Sequence, residues 1–92
     1  LLLFLSVNVL ADEAKIQNQG VILERKGAKE LRVWNSSTQH RAKVQIEYRI
    51  IHGITYKKEI EMKPNEVVFI SSGSHITTFS ITKTDLTGYM KP

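Results

Sequence analysis

The chain has 92 residues, a formal net charge of +4 and no cysteine. That length excludes two domains, and the missing thiols exclude disulfides, thiol catalysis and anchoring through a lipidated cysteine. The basic residues are interleaved with acidic ones, as in Lys57-Lys58 beside Glu59 and Glu61, so the one-sided basic stripe of a nucleic-acid reader is missing.

Leu1 to Ala11 form an uncharged apolar run, shorter than the roughly 20 residues that span a bilayer, and the sequence turns polar at Asp12-Glu13. The run ends in Val9-Leu10-Ala11, with small or modest side chains where a signal peptidase reads. Residues 1–11 are therefore expected to be a signal peptide, truncated at its start and cleaved after Ala11. The alternatives are a buried N-terminal element or an uncleaved anchor. Cleavage implies a periplasmic or extracellular protein with no stable membrane insertion. It leaves 81 residues, a size at which a cysteine-free domain depends on a well-filled core.

Residues 12–19 are polar and read as a flexible arm. Gly20–Glu24 and Glu30–Trp34 flank Lys26-Gly27 and read as a hairpin of open register. Gly27 in mid-span disfavours a helix over 22–33, at about 1 kcal/mol. Asn35-Ser36-Ser37 fits the N-glycosylation acceptor pattern.

Residues 42–50 alternate strictly, with Ala42, Val44, Ile46, Tyr48 and Ile50 on one side and Lys43, Gln45, Glu47 and Arg49 on the other. This is the clearest strand in the chain. Residues 54–62 repeat the pattern, with Ile54, Tyr56, Ile60 and Met62 facing in and Lys58 interrupting the row. A three-residue loop, Ile51-His52-Gly53, keeps the faces matched. It pairs Ile50 with Ile54, Tyr48 with Tyr56 and Val44 with Ile60, and sets Glu47 opposite Lys57 and Lys43 opposite Glu61. Gly53 then stands where such a loop needs a left-handed residue.

Lys63-Pro64-Asn65-Glu66 reads as a tight turn. Val67–Ile70, apolar on both sides, is expected to be a covered strand. Ser71–Ser74 is a turn, and 75–83 a strand with Thr77, Phe79 and Ile81 on one face and Thr78, Ser80 and Thr82 on the other. The whole reads as an all-β domain over 20–85 with a tail over 86–92: a small antiparallel β-sandwich or a partly open barrel of about six strands.

Arg32-Val33-Trp34-Asn35-Ser36-Ser37, an alternating strand, and then Met62-Lys63-Pro64-Asn65-Glu66 resemble the small immunoglobulin-like β-sandwich domains of bacterial envelope and secreted proteins. The resemblance covers roughly residues 30–70. It implies an immunoglobulin-like fold and transfers no activity.

Three histidines raise the question of a metal. Up-and-down strands would put His52 and His75 at one end and His40 at the other, and no His pair has ligand spacing within one element. No metal or cofactor site is expected. Ser71, Ser72 and Ser74 beside His75 lack the strand-to-helix elbow of a nucleophile, and Glu59 and Glu61 lie on a face shared with lysines, so no catalytic role is expected. Trp34 is either a core filler or an exposed anchor. The threonine-rich strand over 77–84 is either ordinary or a sheet edge able to accept a strand from another chain. The expected function is a non-catalytic interaction module that binds an extracytoplasmic protein through a sheet edge or loop end, with Trp34, His52, His75 and Lys83 as candidate contacts. The alternatives are a hydrolase inhibitor using loop 71–75 or 51–53, and a carbohydrate-binding module using Trp34 or Tyr56.

Overall fold

In the computed structural model, which describes residues 15–87, the period-two patterning becomes seven strands and no helix. They are β1 (Lys15–Asn18), β2 (Val21–Gly27), β3 (Glu30–Asn35), β4 (Arg41–Ile50), β5 (Thr55–Met62), β6 (Val67–Ser71) and β7 (Ile76–Thr87). The expected signal segment and the end of the tail lie outside the described residues. A four-stranded sheet in the order β1-β2-β3-β6 faces a three-stranded sheet in the order β5-β4-β7, with every pairing antiparallel. The two sheets do not close on each other, an arrangement compatible with the expected small sandwich.

The core follows from strand parity. Val21, Leu23, Leu31, Val33 and Ile70 of one sheet meet Ala42, Val44, Ile46, Tyr48, Ile50, Met62 and Ile76 of the other, all at most 5% exposed. Fully burying an aliphatic side chain of this kind stabilises the fold by about 1.5–3 kcal/mol.

The β4–β5 hairpin has the register expected from its pattern, with Val44 opposite Ile60, Tyr48 opposite Tyr56, Glu47 opposite Lys57 and Lys43 opposite Glu61. Ile50 N–H donates to Ile54 C=O at 3.0 Å, and Gly53 closes the loop at φ +85°. The turn at 63–66 also forms, with Asn65 at φ 62°.

Four readings need correction. Lys15–Asn18, expected within a flexible arm, is a strand joined to β2 by Gln19-Gly20, both at positive φ (49° and 86°), as a tight two-residue hairpin requires. Its polar faces carry no apolar alternation, because an edge strand needs little. The expected coverage of Val67–Ile70 fails for half of it. Only Ile70 is buried, while Phe69 is 52% exposed on an outer face that nothing packs against among the described residues. Ile54 and Tyr56 lie on the inward row but at 50% and 43% exposure, because β5 is an edge strand of its sheet. Finally, β7 runs to Thr87 and does not alternate simply.

That departure has a mechanical cause. The β4–β7 register shifts once between Arg49 and Ile50 and again between Gln45 and Ile46, leaving Thr77 and Thr82 as the extra residues of two bulges. Each threonine hydroxyl donates to the β4 carbonyl at its bulge, Thr77 to Arg49 at 3.1 Å and Thr82 to Gln45 at 3.2 Å. The core-facing residues of β7 are therefore Ile76, Phe79, Ile81, Thr84 and Leu86, opposite Ile50, Tyr48, Ile46, Val44 and Ala42.

Asn35 is the one fully buried side-chain amide among the described residues. Its Nδ2 donates to the carbonyls of His40 (2.9 Å) and Lys63 (3.0 Å), and its Oδ1 accepts from Ser37 N–H at 3.2 Å. The glycosylation pattern at 35–37 thus falls on an amide with no room for a glycan in the folded chain. Replacing Asn35 by Ala removes both of these donated bonds and the acceptor for Ser37 N–H from a part-buried site. We expect Asn35→Ala to lower unfolding free energy by about 2–4 kcal/mol, read as a reduced urea midpoint at unchanged slope.

Candidate interaction edge

The backbone direction along β7 can be worked out residue by residue. Within a strand, residues whose side chains share a face also point their backbone N–H and C=O to the same side. Three hydrogen bonds give that side for the core-facing set. Ile76 N–H donates to Ala28 C=O at 2.8 Å, Arg25 Nη2 donates to Ile76 C=O at 2.7 Å, and Gln19 Nε2 donates to Thr84 C=O at 3.3 Å. All three partners lie away from β4. Phe79 and Ile81, on the same parity, therefore turn their backbone groups outward too, and no strand pairs with that edge among the described residues. The β7 edge is sealed at Ile76 and engaged at Thr84, and open between them.

Beside the open stretch, the gap between the sheets forms a groove of about 1010 Å³ lined by Lys15 and Ile16 of β1, Arg25 and Lys26 of β2, and His75, Thr78 and Phe79. Arg25 follows Val21 and Leu23 on the inward row of β2, where the sandwich ends and leaves room for a cation. Its guanidinium crosses to the second sheet, bonding Gly27 C=O (3.3 Å) and Ile76 C=O, and lies 5.4 Å from the Phe79 ring centroid.

Of the residues singled out from sequence, only His75 lines this groove. His52 sits exposed in the β4–β5 turn at the same end, where Ile51 N–H donates to His75 C=O at 2.9 Å. Lys83 is exposed on the outer face of β7, 3.7 Å from Asp85. Trp34 is on the other sheet altogether, and its core-filling reading is corrected: it alternates with buried Val33 and Asn35 and faces outward between Ile22 and Val67. Its indole N–H donates to Asn65 Oδ1 at 2.9 Å, and the Arg32 guanidinium, paired with Glu24 at 2.9 Å, sits 5.8 Å from its ring. Sequence reasoning missed Arg25, Lys15 and Phe79. An arginine on the inward row Val21-Leu23-Arg25 was the available signal.

The serine-rich loop acts as a turn: Ser72 Oγ accepts from Ser74 N–H at 3.1 Å. Among the described residues no three His, Cys, Asp or Glu side chains stand close enough to share a metal ion. The one clear shift in acidity among the described residues is at Tyr48, whose phenol is pushed above 10.0, first by burial and then by neighbouring Tyr56, stacked at 5.5 Å.

No family model matches the chain, and no curated protein or solved structure matches it either. The reading of function therefore rests on this geometry.

Two outcomes follow. Because the folded chain holds the Tyr48 proton more tightly than the unfolded chain, this contribution to stability is complete below the unfolded value and is lost as pH rises past about 10. Tyr48→Phe should lose less stability than the parent between neutral pH and pH about 11, measured by urea unfolding. For Trp34, iodide should quench the native fluorescence to an intermediate degree; full protection would contradict its outward placement.

Proposed function

We propose that this chain is an exported, non-catalytic interaction module that accepts an extended strand from a protein partner along the outer edge of β7. The carrying observation is the outward backbone of Phe79 and Ile81 on a strand paired on one side only. Backbone hydrogen bonds give strand addition its affinity, and adjacent pockets give it specificity. The groove lined by Ile16 and Phe79 supplies such a pocket.

The strand order supports the immunoglobulin-like resemblance. β2, β3 and β6 are ordered as strands A, B and E of such a sandwich, and β5, β4 and β7 as C′, C and F. Strand G of that architecture would lie beside β7, a place no strand takes among the described residues. The apolar run over 1–11 supports export, hence an extracytoplasmic partner.

The bulges at Thr77 and Thr82 bound the open stretch. Bulges blunt sheet edges against indiscriminate pairing, which suits an edge reserved for a short, selected segment.

A second reading is an inhibitor acting through the loop end, where Ile51 (61% exposed) and Ile54 flank the turn adjoining His75. The carbohydrate reading has less support, since Arg32 shields the Trp34 ring and Asn65 occupies its N–H.

Proline at Ile81 removes an outward N–H without breaking a β4 bond. Immobilised parent, Ile81→Pro and Phe69→Ser chains, each checked by circular dichroism, are compared in capture from extracytoplasmic extract at about 0.5 M salt. A protein held by the parent and Phe69→Ser but lost by Ile81→Pro is the expected result. Loss on Phe69→Ser alone moves the contact to the outer face of the first sheet. Equal retention by all three moves it to the loop end, and a blank capture removes the proposal.

A further inference from the structure

We infer that the segment accepted at β7 is acidic: an extended peptide whose carboxylates meet Lys15, Arg25 and Lys26 while apolar side chains enter the groove over Ile16 and Phe79. This rests on the strand-addition reading and adds the chemistry of the partner.

Charge complementarity is the argument. The groove walls carry Lys15, Arg25, Lys26 and His75 and, among the described residues, no carboxylate. Lys15 stands opposite Glu24 on the outer face of the first sheet, where Glu24 bonds Arg32 at 2.9 Å, so Lys15 meets the groove at its rim while Arg25 lies inside it. The other ion pair among the described residues, Lys83 with Asp85, involves none of the lining groups. Arg25 spends its donors on carbonyls, which stabilise a guanidinium without neutralising it. Three cations of one sign thus flank an edge whose backbone donors and acceptors are open, in a gap where apolar walls lower the local dielectric.

An added strand paired to Phe79 and Ile81 would point alternate side chains into the gap and away from it. Inward positions would reach Ile16 and Phe79. Acidic groups at the groove mouth would reach Arg25, Lys26 and Lys15. A basic segment would meet like charge at each of these, which costs more than a neutral one and makes the groove selective.

The test uses four short fluorescein-labelled peptides: alternating valine and aspartate, its asparagine and lysine counterparts, and the aspartate peptide N-methylated at alternate residues. Binding is measured by fluorescence polarisation to the parent and to the Lys15→Gln/Lys26→Gln double variant, at about 0.05 M and about 0.5 M salt. The aspartate peptide should bind about tenfold tighter than the asparagine one at low salt, and the lysine peptide more weakly than both. The advantage should shrink at high salt and in the double variant, which keeps its binding of the asparagine peptide. N-methylation should abolish binding, and amide chemical shifts should move at Phe79 and Ile81. Equal binding of aspartate and asparagine peptides, both lost on N-methylation, overturns the acidic preference and leaves strand addition standing. Aspartate binding that survives N-methylation marks a simple anion site and overturns both. Absence of binding by every peptide overturns the inference, with the Ile81→Pro capture then judging strand addition on its own.

Discussion

Asn35 ties the molecule together at the points where the chain changes sheet. β3 hands over to β4 through residues 36–40, and β5 hands back to β6 through 63–66; the Asn35 amide bonds a carbonyl in each connection. Its backbone N–H adds a third tie, to Glu66 C=O at 3.0 Å. A buried amide in a low-dielectric interior is costly unless satisfied, so it selects the arrangement in which both connections converge on it. With the connections held, β6 falls beside β3 and β7 beside β4. The position of the open edge follows from that.

The second constraint is how β7 keeps apolar residues inside over twelve positions whose sequence does not alternate. Strict period two from Ile76 would carry Phe79 and Ile81 to the solvent face. The bulge at Thr77 restores them to the core, and the bulge at Thr82 sends Thr84 and Leu86 inward after them. Threonine suits both places, because its hydroxyl bonds the carbonyl that the broken ladder leaves behind. The cost appears at Thr84, whose buried Oγ1 has no hydrogen-bond partner among the described residues. The bulges also decide which backbone groups face outward, so core packing and edge presentation are set by the same two residues.

The two sheets differ in what they expose. The first turns Ile22, Trp34, Val67 and Phe69 outward around Arg32, where Arg32 pairs with Glu24 and Trp34 bonds Asn65. The second offers open backbone beside cations without carboxylates. Among the described residues, only the latter combines directional hydrogen bonds, an apolar recess and a charge of one sign, which is why the proposed function is placed there.

The sequence by itself determined the elements governed by local chemistry. The β4–β5 hairpin was legible down to its register, because strict alternation, cross-strand charge pairs and a glycine in the loop agree. The turn at 63–66 was legible from Pro64 and Asn65, and the all-β class from the recurrence of such signals. Only the tertiary structure decided which strands are edges, that polar Lys15–Asn18 joins a sheet, and that Trp34 faces out while Asn35 is buried. It also brought Arg25, Lys15 and Phe79 to one groove. The reason is physical. Alternation says that a strand has two faces, but not which neighbour covers either one. A bulge, an open edge or a cluster of cations from two strands exists only once distant segments are packed together.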